Sequence, residues 1–187
     1  LVILIGLYDD KKILMPMTKI MLLLAPTIIM VLTGLNIEYL GTYQFVGYLE
    51  LGPYSYIFTT LCCLILTNAV NYSDGIDGLA STLFISSIIL LFLFIEFSEE
   101  FIFFLKHLII SIIIFIFFNH NLFGLPRLFL GDSGSLFLGF FLSFSLIYFY
   151  KIGLHQSLLI WSICIYIFDF LSTNLIRIIY NRKIFNP

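Results

Sequence analysis

Between Asp132 and Lys151 the chain reads SGSLFLGFFLSFSLIYFY (Ser133–Tyr150), eighteen consecutive residues without a charge. A stretch of that length crosses a hydrocarbon core as a helix, whereas a barrel strand would alternate apolar and polar positions. The same reading extends outward from it. Measured from charge to charge, Ile20–Ile37, Leu51–Ser73, Gly78–Ile95 and Ile152–Phe168 are also uninterrupted. A further span covers Phe101–Phe118, with Lys106 and His107 near its outer end, where a long side chain snorkels, and Leu1–Tyr8 reads as the tail of another helix. The expected fold is an all-α integral membrane protein: a polytopic bundle of about six transmembrane helices plus the end of another.

Composition agrees. Of 187 residues, 61% are hydrophobic and 11% charged, and the mean hydropathy is +1.10. A soluble domain runs nearer 45–50% apolar and about 25% charged, so a soluble globule is excluded. The net charge of −2 excludes a basic nucleic-acid binder. Cys62, Cys63 and Cys164 lie inside apolar runs and match neither a disulfide framework nor a zinc spacing. Residues 1–187 read as a single membrane domain, without internal repeat or linker. The chain opens on Leu inside an apolar run and is read as a fragment.

Sidedness follows from the loops. The first, third, fifth and seventh (Asp9–Lys19, Asp74–Asp77, His120–Asp132, Arg177–Pro187) must share a side. They hold Lys11, Lys12, Lys19, Arg127, Arg177, Arg182 and Lys183, seven of the nine basic residues, against Lys106 and Lys151 opposite. The positive-inside rule makes that side cytoplasmic, and the localisation expected is a multi-pass protein of the inner membrane with its site facing the cytoplasm. The acids sort as cleanly. All five glutamates (38, 50, 96, 99, 100) fall on the outer side, and Asp9, Asp10, Asp74, Asp77 and Asp132 on the cytoplasmic side.

Caps and turns favour aspartate at individual positions, but three separate loops share no need for it unless they converge. The object that suits them is a metal ion with phosphates, because Mg²⁺ takes a few carboxylate or carbonyl oxygens plus phosphate oxygens. The three loops read Gly6-Leu7-Tyr8-Asp9-Asp10, then Asn68-Ala69-Val70-Asn71-Tyr72-Ser73-Asp74-Gly75-Ile76-Asp77-Gly78-Leu79, then Asn119 through Pro126 to Phe129-Leu130-Gly131-Asp132-Ser133-Gly134-Ser135.

In that order, these motifs resemble the polyprenyl-phosphate N-acetylhexosamine-1-phosphate transferases, membrane enzymes that move a sugar phosphate from a UDP-sugar onto a lipid phosphate. The Asp-Gly-Ile-Asp-Gly run and the ending Arg177–Pro187 are most similar to the bacterial undecaprenyl-phosphate N-acetylglucosamine-1-phosphate transferase branch. That branch has helices before the first motif and a His-rich cytoplasmic loop after such an ending, neither of which stands in these residues. The resemblance implies transfer of N-acetylhexosamine-1-phosphate, GlcNAc-1-phosphate in the first place, from a UDP-sugar to a polyprenyl phosphate with release of UMP. It implies Mg²⁺, with Mn²⁺ as its substitute. A homodimer is compatible with the reading.

The resemblance also implies roles. Asp9 acts as base on the lipid phosphate, with Asp10 supporting it. Asn71 and Asp132 hold the metal, Asp132 therefore counting among the catalytic residues, and Asp74 and Asn68 lie close to the phosphates. Gly75, Ile76 and Asp77 bind uracil, the aspartate by accepting from the ring N–H, and Phe129 stacks on the base. Lys19 and Arg127 meet phosphate, although an interfacial, snorkelling place also accounts for Lys19 and positive-inside statistics alone account for Arg127. The looser family pattern has a third aspartate where Ile13 stands, so no role is carried to that position. His120, beside the third motif, is a lesser candidate for substrate contact.

A cation-coupled transporter or channel subunit is the alternative. It predicts carboxylates near the bilayer midplane and corresponding broken halves; only Asp169, inside the last span, favours it, and a structural pairing with a neighbouring helix accounts for that residue.

The sidedness is tested with cysteines placed beside Asp9, Asp74 and Asp132, and at Glu50, Glu99 and Lys151, in intact cells. An impermeant thiol reagent should label only the second group. Labelling of the aspartate loops from outside would reverse the topology.

Overall fold

The structure is a computed structural model that describes residues 1–44, 47–94 and 98–180. Glu96, Arg182 and Lys183, counted above for sidedness, and residues 181–187 of the terminal motif lie outside these. The helices are α1 (Val2–Lys11), α2 (Pro16–Leu32), α3 (Ser55–Ser73), α4 (Leu79–Phe92), α5 (Glu99–Asn119), α6 (Gly131–Lys151) and α7 (Gln156–Ile179). Each expected span is a helix, and the Leu1–Tyr8 tail is α1. The segments Gly52–Ser73, Glu99–Asn119, Gly131–Lys151 and Gln156–Ile179 are long and apolar enough to cross a membrane, while α2 and α4 are shorter apolar helices. This is a polytopic all-α membrane bundle.

The first loop is shorter than expected, with Asp9, Asp10 and Lys11 inside α1 and Lys19 inside α2, and the second loop departs further. The connection Glu38–Glu50 forms an antiparallel hairpin of β1 (Tyr39–Tyr43) and β2 (Gly47–Glu50), pairing Tyr39 with Glu50 and Tyr43 with Gly47. It is tied down from the end of α6. The Tyr150 hydroxyl accepts from the N–H of Glu38 and Tyr39 at 3.1 and 3.0 Å, and Lys151 Nζ lies 2.7 Å from Glu38 Oε1.

The main core lies where α3, α4, α6 and α7 meet, around the buried Val70, Phe84, Ile88, Leu142 and Tyr166. In hydrocarbon no hydrophobic force separates helix from lipid, so association rests on close packing and interhelical hydrogen bonds. Both are present. Ser87 Oγ donates to Ser162 O at 2.6 Å and Tyr166 Oη to Ala80 O at 2.7 Å, joining α4 to α7. The long α6 carries the tightest approaches. A Cβ on Gly139 would fall 2.8 Å from Thr67 Cα of α3, and one on Gly6 of α1 only 2.3 Å from Ser133 Cα. Gly6 brings α1 against the start of α6, and Gly139, further along α6, brings that helix against α3.

Asp169 does not pair as expected: its carboxylate makes no hydrogen bond or ion pair among the described residues. Arg177, two turns on, lies instead over the Tyr72 ring at 5.4 Å.

Gly139→Val should lower stability by about 1–3 kcal/mol, the usual range for overpacking, and Gly6→Val by at least as much. Gly75→Ala, whose Cβ meets only Tyr72 O at 3.4 Å, should change little. Thermal unfolding of the full-length protein in detergent checks all three; wild-type melting of Gly6→Val would remove the close approach as the determinant.

Candidate active site

Four helix ends converge at one end of the bundle: the C-terminal turns of α1 and α3 and the first turns of α2 and α6. Their polar side chains meet around Lys19. Its Nζ lies 2.8 Å from Asp9 Oδ2, 2.5 Å from Asp132 Oδ1 and 3.3 Å from Asn71 Oδ1. Asp9 is buried, 6% exposed, and its other oxygen accepts from the Leu14 N–H at 2.7 Å, which also pins the short link from α1 to α2. Asn71 donates through Nδ2 to Asp132 Oδ1 at 2.6 Å and to Ser135 Oγ at 2.7 Å.

Asp10 faces the start of α6 instead. Its Oδ1 accepts from the Asp132 N–H at 2.8 Å and its Oδ2 from the Ser133 N–H at 3.2 Å. The first N–H groups of a helix have no partner within it and carry the positive end of its dipole, so a carboxylate from a second helix is a favourable cap. Gly131 makes room for it: φ is +69°, and a Cβ there would lie 3.1 Å from Asp10 Oδ1. The contacts of Asp10 are thus with the helix start and not with Asp9. Asp10 holds the backbone of the residue whose side chain meets Lys19.

Asp74 follows the last turn of α3, and its carboxyl is raised to about 7, first by burial and then by the charges of Asp132 and Asp10. Its proton is therefore held well above the usual carboxylate range, and a nearby cation favours its release. Asn68 stands apart from these contacts, its Nδ2 bonded back to Leu64 O of its own helix at 2.7 Å.

A second cluster lies in the loops beside the first. Asp77 Oδ2 is ion-paired with Arg127 Nη2, and the Arg127 guanidinium stands 5.4 Å over the Phe129 ring. Phe129 and Ile76 are 72% and 65% exposed. The expected base-binding residues therefore share one exposed corner, with Asp77 held by Arg127 rather than open, and Arg127 bonded to a carboxylate. Gly75 and Ile76 occupy the same turn as Asp77. The His120 ring sits against Gly78 of that turn, where a Cβ would come within 2.5 Å of Nε2.

The oxygens around Lys19 suit a hard cation. Asp9, Asn71 and Asp132 already direct three of them at one positive charge, although no group of three or more His, Cys, Asp or Glu placed to hold a metal ion by itself is present among the described residues. Two or so protein oxygens completed by phosphate oxygens is the habit of Mg²⁺. Ser135 is the residue that sequence reasoning missed; the available signal was its place four residues after Gly131, in the first turn of an apolar helix.

Residues 1–150 match the family model described as glycosyl transferase family 4. The chain is 34% identical, over 88% of its length and 45% of the relative's, to the probable undecaprenyl-phosphate N-acetylglucosaminyl 1-phosphate transferase of Bacillus subtilis (strain 168). It is 35% identical to the phospho-N-acetylmuramoyl-pentapeptide-transferase of Thermotoga neapolitana, over 49% of the chain and 29% of the relative. To that of Fervidobacterium nodosum it is 38% identical, over 47% and 28%. The chain thus spans less than half the length of these relatives. No solved structure matches it.

The cap makes a stability prediction. Asp10→Ala should cost about 1 kcal/mol by leaving two N–H groups without an acceptor, and Asp10→Asn, which keeps one oxygen, should cost less. Thermal unfolding of the full-length protein measures both, and an unaltered Asp10→Ala variant would remove the cap.

Proposed function

The chain belongs to glycosyl transferase family 4, and from that membership we propose that its protein transfers N-acetylhexosamine-1-phosphate, GlcNAc-1-phosphate in the first place, from a UDP-sugar to a polyprenyl phosphate. An oxygen of the lipid phosphate attacks the sugar-bearing phosphorus, the bond from that phosphorus to the UMP oxygen breaks, and UMP leaves. This is the first membrane step of cell-surface polysaccharide synthesis, carried out on the cytoplasmic face of the inner membrane. The observation that carries the reading is the convergence of Asp9, Asn71 and Asp132 on Lys19, with the Asp77–Arg127–Phe129 corner beside it.

Phosphoryl transfer asks a protein mainly for positioning and charge neutralisation. Asn71 and Asp132 would hold Mg²⁺, or Mn²⁺, which when bound neutralises charge across the donor diphosphate. Lys19 and Arg127 are the cations within reach of phosphates, Lys19 from the cluster and Arg127 from the exposed corner. Phe129 offers a ring face to the base and Asp77 a carboxylate to its N–H once Arg127 turns aside. Asp9, at the end of α1 where a lipid headgroup would lie, accepts the proton that the lipid phosphate still carries. The transporter alternative loses its support here: apart from Asp169, the carboxylates of the three motifs gather at one end of the bundle.

The two carboxylate roles separate in an assay of UMP release by the full-length protein against pH and Mg²⁺. Asp132→Asn should lower activity by orders of magnitude, with part recovered at raised Mg²⁺. Asp9→Asn should leave the metal dependence unchanged and lose most at acidic pH, because a phosphate monoester has its second pKa at about 6. Identical responses in the two variants, or wild-type activity in either, would remove the assignment.

A further inference from the structure

Ser135 is fully buried, 0% exposed, in the first turn of α6, and its hydroxyl carries a single proton. That proton goes to Gly131 O, 2.9 Å away. Towards Asn71 the oxygen can then only accept, and only the NH₂ end of an amide donates. The second Nδ2 contact, to the Asp132 carboxylate, has the same polarity, and Lys19, which has only donors, requires oxygen on the other side of the amide. A reversed amide would set Oδ1 against the Asp132 carboxylate and the Ser135 lone pairs, and Nδ2 against an ammonium. Three neighbours thus fix the amide in one sense.

The neighbours are not equivalent. Asp132 and Lys19 belong to the charged cluster that a metal and phosphates would rearrange, while Ser135 is bound to its own helix backbone and keeps its position. We infer that Ser135 is a positioning residue that holds the Asn71 amide with its oxygen turned to the cation position, through the 2.7 Å hydrogen bond from Asn71 Nδ2. The inference rests on the proposed metal role of Asn71 and Asp132. Groups that orient metal ligands in this way typically govern affinity by 10–100-fold.

The test is Mn²⁺ binding to the full-length protein in detergent, read from the electron paramagnetic resonance signal of free Mn²⁺ during titration with the metal alone. Ser135→Ala should raise the Kd about tenfold. Ser135→Cys, which keeps the volume with a poorer acceptor, should raise it less and serves where the alanine variant does not fold. Asn71→Ala should also weaken binding, and adding Ser135→Ala to it should have no further effect, because Ser135 acts through the amide. Wild-type affinity in both Ser135 variants, or a full additional loss on the Asn71→Ala background, overturns the inference while Asn71→Ala and Asp132→Asn still weaken binding. Wild-type affinity in Asn71→Ala and Asp132→Asn instead removes the metal reading, and the inference with it.

Discussion

The contact of α1 and α3 with the start of α6 is the constraint on which the site depends. Without side chains at Gly6 and Gly139, three helix backbones approach until their polar ends share one volume. Everything chemical follows from that closeness. Asp9 and Asp132, on helices 1 and 6, meet a single ammonium, and Asp10 reaches across to cap the helix that carries Asp132. In a medium where apolar surface gains nothing by leaving lipid, such polar ties and close packing are what the bundle has to hold it.

The site has two halves of different character. Around Lys19 the groups are buried or half-buried and tied to one another by hydrogen bonds and ion pairs, an arrangement that rigidifies the site. At the corner of Asp77, Arg127 and Phe129 the side chains are exposed, and an exposed ion pair contributes little to stability. Under the proposed function the first half would hold the reacting phosphates, which need geometry, and the second a base that must enter and leave.

The spans were legible because lipid leaves a simple signature, the distance between charges. The motifs were legible as short polar islands between those spans, and the structure brings Asp9, Lys19, Asn71 and Asp132, which come from all three, within contact of one another. Contacts made between distant residues were not legible. The hairpin at Glu38–Glu50 is held by Tyr150, and Asp10 bonds N–H groups more than a hundred positions along the chain. Nothing in the spacing of Asp9 and Asp10 tells that one faces a lysine and the other a helix end. Ser135 was hidden for a different reason: a serine in an apolar helix ordinarily bonds back to its own turn, as this one also does.

The charge balance of the cluster has a consequence for the order in which a reaction here could be loaded. Asp9 and Asp132 share one ammonium, Asp10 caps the helix beside them, and the carboxyl of Asp74 is raised first by burial and then by the negative charges of Asp132 and Asp10. A bare diphosphate approaching such a field is repelled. One that arrives already escorted by a divalent cation is not, so under the proposed function the arrangement would favour the metal complex of the donor over the free anion, with ionic strength a control on encounter.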